Sequence, residues 1–159
     1  MSYQAVILTV SGSCAAGTRT DTSGPAIRAM LENAGFAVQA MQTVPGEEGQ
    51  ISAAIVHACD ILQADLVVTT GGTGLSPRDV TPEATLAVLD REIRAIPVAM
   101  WVEGLKSTPR AMLSRAVAGT RGHTLVLNVP GSEKAARENL GAVVATLDHA
   151  LRILAGGGH

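Results

Sequence analysis

Residues 66–83 read Leu66-Val67-Val68-Thr69-Thr70-Gly71-Gly72-Thr73-Gly74-Leu75-Ser76-Pro77-Arg78-Asp79-Val80-Thr81-Pro82-Glu83. The short β-branched run at the start, closed by glycines, predicts a buried strand over 66–70. Thr81 is placed to cap a helix whose first residue is Pro82, with Glu83 favourable to the helix dipole. Between strand and helix stand three glycines, which let backbone approach a ligand and let amide N–H groups converge on an anion. Arg78 and Asp79 follow within eight residues of the first glycine. Cradle, cation and carboxylate together point to phosphate chemistry. The alternative is a tight strand-to-helix turn that uses its glycines for geometry alone. A P-loop is excluded because the loop runs Gly74-Leu75-Ser76 where Gly-Lys-Ser/Thr is required. A dinucleotide fingerprint is excluded because Pro77 stands where its third glycine belongs.

Outward from this stretch the chain alternates strand and helix. Gln4–Val10 predicts a first strand, 11–23 a Gly/Ser/Thr-rich loop, and Gly24-Pro25 the start of a helix to Asn33, closed by Ala34-Gly35. A second strand is expected over 36–43, a turn over 44–49, and a helix over 50–62 from its apolar stripe. Helices follow over 82–91, 96–105 and 106–116; a loop covers 119–123, a fourth strand 124–128, and a long last helix 133–154. Such alternation predicts a three-layer α/β/α sandwich with a mostly parallel sheet, as one domain over 1–155 and a disordered tail at 156–159. Ligands of open α/β sheets sit beyond the carboxyl ends of the strands. Three junctions deliver small residues there: 11–24, 71–81 and Pro130-Gly131-Ser132.

Composition narrows the class. Hydrophobic residues make up 47% of the 159 residues and aromatics only 2%, so the core must be aliphatic and alanine-rich. A mean hydropathy of +0.27 with 16% charged residues points to apolar surface covered between subunits. The net charge is −2 and there is no Lys/Arg run, which argues against nucleic-acid binding. An anion must then be held by local groups. Cys14 and Cys59 have neither disulfide-framework nor zinc spacing, which fits a reducing compartment. Residues 1–18 are uncharged but have no basic n-region, and Ser11-Gly12-Ser13 breaks their apolar run, so neither a signal peptide nor a membrane span is expected. The expected location is the cytoplasm.

Asp79 is the first candidate for chemistry. Mg²⁺ in nucleotidyl transfer is held by one or two carboxylates plus phosphate oxygens; an aspartate here can also simply brace the loop. Arg78 can clamp a phosphate or be solvated, and Lys134 can reach a phosphate from the first turn of the last helix. Ser132 can cap that helix. Asp21 and Ser23 read as loop braces, and Met100, Trp101 and Met112 as core or interface packing.

The runs Thr70-Gly71-Gly72-Thr73-Gly74, Pro77 to Thr85, Asp21-x-Ser23-Gly24-Pro25, Ala111-Met112-Leu113-Ser114-Arg115, Ala118-Gly119-x-Arg121-Gly122 and Asn128-x-Pro130-Gly131-Ser132-x-Lys134-Ala135 together resemble a known family. They are similar to the molybdenum-cofactor biosynthesis proteins MogA and MoaB and the matching domains of gephyrin and its plant relatives. The resemblance covers nearly the whole chain. It implies a homotrimer that binds molybdopterin, adenylylates its phosphate with ATP and Mg²⁺, and hands the product to a molybdate-inserting enzyme. It implies Asp79 as the catalytic, Mg²⁺-linked carboxylate. The substrate would be held by Ser11, Thr70, Gly71, Gly72, Thr73, Gly74, Ser76, Arg78, Ser114, Pro130, Gly131, Ser132 and Lys134. Two departures stand out. The family's adenylyltransferases usually have Asp where this chain has Gly46 after Pro45, and Ser-Asp where it has Ser11-Gly12. Glu47 is the candidate substitute for the lost carboxylate. A non-catalytic molybdopterin carrier and a trimeric scaffold with vestigial loops are the competing readings.

Overall fold

Nearly every residue of the three central parallel strands is buried, because helices cover both faces of the sheet. The computed structural model describes residues 2–158. In chain order the elements are β1 (Gln4–Val10), α1 (Gly12–Ala15), α2 (Ser23–Asn33), β2 (Ala37–Val44), α3 (Glu48–Val56), β3 (Leu66–Thr70), α4 (Thr81–Leu86), β4 (Arg91–Glu92), α5 (Ala95–Leu105), β5 (Ala118–Arg121), β6 (Thr124–Val129) and α6 (Glu133–Leu154). The sheet order is β2-β1-β3-β6-β5-β4. β2, β1, β3 and β6 run parallel, whereas β5 and β4 are antiparallel to their neighbours.

Successive side chains of a strand point to opposite faces, and the core divides accordingly. Ala5, Ile7, Leu66, Val68, Leu125 and Leu127 pack with residues of α2, α5 and α6 such as Ile27, Met100 and Leu140. Val6, Leu8, Val67 and Val126 pack on the other face with Ile51, Ile55 and Ala84 of α3 and α4. Two cores on one mixed sheet make the three layers expected from the sequence. No helix among the described residues is long and apolar enough to cross a membrane.

Register decides where the loops emerge. Thr9 lies level with Thr70, and Thr70 with Val129, so β1, β3 and β6 end together at one edge. The buried Asn128 fastens this edge. Its amide donates to Thr69 Oγ1 at 2.8 Å and Thr85 Oγ1 at 3.1 Å, while its carbonyl accepts from the Val117 amide.

Several boundaries differ from expectation. The helix expected over 82–91 stops at Leu86, and Arg91–Glu92 instead form β4. The loop expected over 119–123 is mostly β5, with a tight turn at Gly122-His123. Both of these strands are short, and neither has the apolar run that marks β1, β3 or β6. The helix expected over 50–62 begins at Glu48, gives way after Val56 to one wider π turn (His57–Ile61), and ends there. The helix expected over 106–116 is a single 3₁₀ turn, Pro109–Leu113, opened by the Thr108 hydroxyl. The loop at 11–23 contains the one-turn α1, capped by Ser11. Thr81 does not cap α4: it is the first helical residue, fully buried, and its hydroxyl has no partner. At the far end the Gly156 and Gly157 amides close α6 by donating to Ile153 and Arg152 carbonyls, at the start of the expected tail 156–159. His159 of that tail lies outside the described residues.

Candidate functional site

The three junctions predicted to share a crevice do meet, and small residues are what allow it. Gly71 has φ +101°, and a Cβ there would lie 2.3 Å from the Val10 carbonyl oxygen, so no side chain fits. Gly131 stacks on it, its Cβ position only 3.2 Å from Gly71 Cα. Hydroxyls bolt the loops together: Thr70 Oγ1 donates to the Pro130 carbonyl at 2.7 Å, and Ser23 Oγ to the Gly131 carbonyl at 2.6 Å. Asp21 is the brace its sequence position indicated. It accepts from the Gly24 amide at 3.0 Å and from Thr9 Oγ1 at 2.7 Å.

The loop after Gly72 is shaped by Asp79 and by a residue that sequence reading left without a role. Asp79 Oδ2 accepts from the Ser76 amide at 3.0 Å, and the Asp79 amide donates to the Ser76 carbonyl at 2.9 Å. Arg115 grips the same loop from outside. Its amide donates to the Thr73 carbonyl, its Nε to the Gly74 carbonyl at 2.8 Å, and its Nη2 to the Asp79 carbonyl at 2.7 Å. Its remaining nitrogen pairs with Glu83 in the first turn of α4. The hydrogen bond from Arg115 holds the Glu83 carboxyl below the ordinary range. The run Ala111–Arg115 had signalled this arginine, but nothing local indicated its partners 41 and 36 residues away.

Around these loops lie three crevices. The first, about 630 Å³, is lined by Gly72, Thr73, Gly74, Asp79, Ser114 and Pro130 to Ser132, and extends along α6 and the end of α5. The second, about 280 Å³, lies behind Gly71 and Gly131 and is lined by Ser11, Arg19, Asp21 and Thr70. A third, about 720 Å³, is bordered by Ser11, Gly12, Gly46, Glu47, Arg78 and Asp79. Asp79 thus stands on the rim between the first and third crevices. α6 opens at the first crevice, with Ser132 Oγ accepting from the Ala135 amide as its cap. A 22-residue helix directs its positive end there.

Of the expected binding residues, Ser76 and Lys134 border none of the three crevices, and both are exposed. Ser76 instead shapes the loop, its hydroxyl accepting from the Arg78 amide. Thr70 is 1% exposed, with its hydroxyl committed to Pro130. Among the described residues no group of three or more His, Cys, Asp or Glu could cage a metal ion. Asp79, Glu47 and Glu48 do border one crevice, but the three carboxylates do not converge as a metal cage. That donor set fits a hard cation arriving with phosphate oxygens, and does not fit a resident all-protein site.

The "Probable molybdopterin binding domain" family model matches residues 6–149. The chain belongs to the MogA/MoaB molybdopterin-binding family. It is 48% identical to the MoaB of Thermus thermophilus, with a TM-score of 0.92 over 97% of both chains. It is 36% identical over 154 residues to the molybdopterin adenylyltransferase of Helicobacter pylori (strain J99), covering 94% of this chain and 86% of that protein. Gephyrin of Dictyostelium discoideum is 40% identical over 158 residues, covering 93% of this chain. The chain spans less than half the length of some relatives it matches, and only 22% of that gephyrin. Both departures from the adenylyltransferase pattern, Gly12 and Gly46, fall on the crevice that Asp79 and Glu47 share.

Proposed function

We propose that this protein acts in molybdenum-cofactor biosynthesis, binding molybdopterin and adenylylating its phosphate with Mg·ATP. The observation that supports it is the meeting of the glycine loop, the Pro130–Ser132 turn and the α6 N-terminus around a crevice with Asp79 on its rim. In the reaction a phosphate oxygen of molybdopterin attacks the α-phosphorus of ATP. The new phosphoric anhydride bond forms as the bond to the β-phosphate oxygen breaks, and pyrophosphate leaves. Backbone amides of the glycine loop and the positive end of α6 offset phosphate charge. Asp79, with Glu47, would hold Mg²⁺, which when bound supplies neutralisation of the charge building on the leaving pyrophosphate. Arg78, exposed at the third crevice, is placed to meet phosphate oxygens.

The functional unit is a homotrimer. Val98, Val102, Leu105, Met112 and Leu113, on α5 and the 3₁₀ turn after it, are 45–66% exposed, an apolar face suited to cover by another copy. The product passes to a molybdate-inserting enzyme, in the cytoplasm, where free thiols such as Cys14 and Cys59 persist.

A second reading, a non-catalytic molybdopterin carrier, is favoured by Gly12 and Gly46, which add no carboxylate to the Asp79 crevice. Incubation with molybdopterin and Mg·ATP separates the two. Adenylylated molybdopterin and pyrophosphate are expected, and both should vanish in Asp79→Asn, whose amide oxygen still accepts from Ser76. Tight molybdopterin binding with no product assigns the carrier role.

A further inference from the structure

The 630 Å³ crevice is chemically different at its two ends. At one end stand the glycine loop and the capped N-terminus of α6, both donors suited to an anion. The other end is walled by the next turns of α6 and the end of α5. Ser132, Ala135, Glu138 and Asn139 line it at helical spacing, so a single face of α6 paves the crevice from end to end. At 1.5 Å per residue, Glu138 stands about 9 Å along the axis from Ser132.

Glu138 is half-buried and held in place: Ser107 Oγ, just beyond the end of α5, donates to its Oε2. Asn139 is buried, and one of its two amide N–H groups donates to the Ala135 carbonyl of its own helix. Gly104 packs closely on the same wall, since a Cβ there would lie 3.0 Å from Ala111 Cβ and 3.7 Å from Asn139 Nδ2. Arg110 also borders this end, but is exposed. A crevice wall that presents a held carboxylate is an acceptor for paired N–H donors on a flat ring.

We propose that Glu138 is the residue that reads the ring of the substrate, accepting from the adjacent ring N–H and 2-amino group of a 2-amino-4-oxopteridine. The inference rests on the molybdopterin reading above and adds the ring edge and the residue that selects it. A carboxylate accepts two parallel N–H donors in the way it accepts a guanidinium fork. Each oxygen has two lone pairs, so the Ser107 bond leaves Oε2 able to accept a second. With the phosphate at the α6 N-terminus, a ring on a short arm reaches Glu138 along the helix. A 2,4-dioxopteridine offers a carbonyl where the 2-amino group was, and its oxygen would face the carboxylate. Sites built to bind a donor reject analogues that lack it, because the site's own polar group is left unpaired.

The test is fluorescence titration of the full chain with two phosphate esters, that of 6-hydroxymethylpterin and that of its 2,4-dioxo (lumazine) counterpart. Wild-type protein should prefer the pterin by about 10- to 100-fold. Glu138→Gln presents an amide N–H to one of the two donors, and the preference should fall to about threefold or less. Ser107→Ala, which frees the carboxylate without removing it, should give an intermediate preference and guards against a Glu138 variant that does not fold. A purely structural role for Glu138 would weaken both esters equally and leave their ratio unchanged, which overturns the assignment alone. Wild-type protein that binds neither ester overturns this assignment and the molybdopterin reading together.

Discussion

Gly46 and Thr81 are two residues whose roles the structure makes testable in opposite directions. Gly46 is not among the left-handed glycines, and no atom lies within 4 Å of a Cβ built on it. An aspartate therefore fits without strain, on the crevice shared by Asp79 and Glu47. Mg²⁺ demands short bonds in near-octahedral geometry, and a ligand one residue and one methylene out of place holds it poorly. Gly46→Asp should raise adenylyl transfer at limiting Mg²⁺, by up to about 100-fold if positioning limits the rate, and Glu47→Gln should lower it. Folded variants with unchanged turnover would remove Glu47 from the mechanism. Thr81 is fully buried with an unpaired hydroxyl, and an unmade hydrogen bond in the interior costs about 1–3 kcal/mol. Thr81→Val keeps the shape and removes the orphan, so the urea midpoint should hold or rise. A loss above about 1 kcal/mol would reveal a partner for that hydroxyl.

At the scale of elements, the Asp79 loop is held to α4 and to the segment before β5 by one side chain. Arg115→Gln removes the fork that binds the Gly74 and Asp79 carbonyls and the Glu83 pair. The expected result is faster hydrogen exchange at the Ser76 and Asp79 amides, with adenylyl transfer reduced more than molybdopterin binding. Exchange rates equal to wild type would show that the loop holds its own shape. The pair also has a pH signature. Arg115 lowers the Glu83 pKa from its ordinary value of 4.5, so the pair's stabilisation is complete above that value and is lost as pH falls through the lowered one. The stability gap between wild type and Arg115→Gln should therefore shrink on acidification below about pH 4.5, as measured by urea unfolding across pH. Asp60 and Arg121 form a second such pair, in which the hydrogen bond from Arg121 likewise lowers the Asp60 pKa. Glu83 is specific to the Arg115 comparison because the Asp60 pair is intact in both proteins.

For the whole molecule, the exposed apolar face of α5 and its following turn sets the expectation of assembly. Sedimentation at micromolar concentration should show a species of about three times the 16.3 kDa chain mass, and Val102→Glu with Met112→Glu should dissociate it. A lone 16.3 kDa species in the unaltered protein would overturn the trimer. How much of this molecule could be read in advance follows from the range of the forces involved. β1, β3 and α6 were legible to the residue, and β6 within one, because mostly apolar runs and an amphipathic stripe ending at caps are local patterns. The glycine loop was legible for the same reason: the residues that require close backbone approach are adjacent in the chain. By contrast β4 and β5 gain their strand character from pairing with each other and with β6, and no local periodicity announces strands of only two or four residues. Arg115 gains its loop contacts, and Glu138 its place in the crevice, only when packing brings α4, α5 and α6 around the strand ends. The sequence alone determined which segments could be strands, helices and tight glycine loops, since local sterics and hydrophobic period suffice for that. Only the tertiary structure decided which distant side chains fasten the loop and line the crevice, because those contacts are selected by the packing of both cores at once and leave no trace in neighbouring residues.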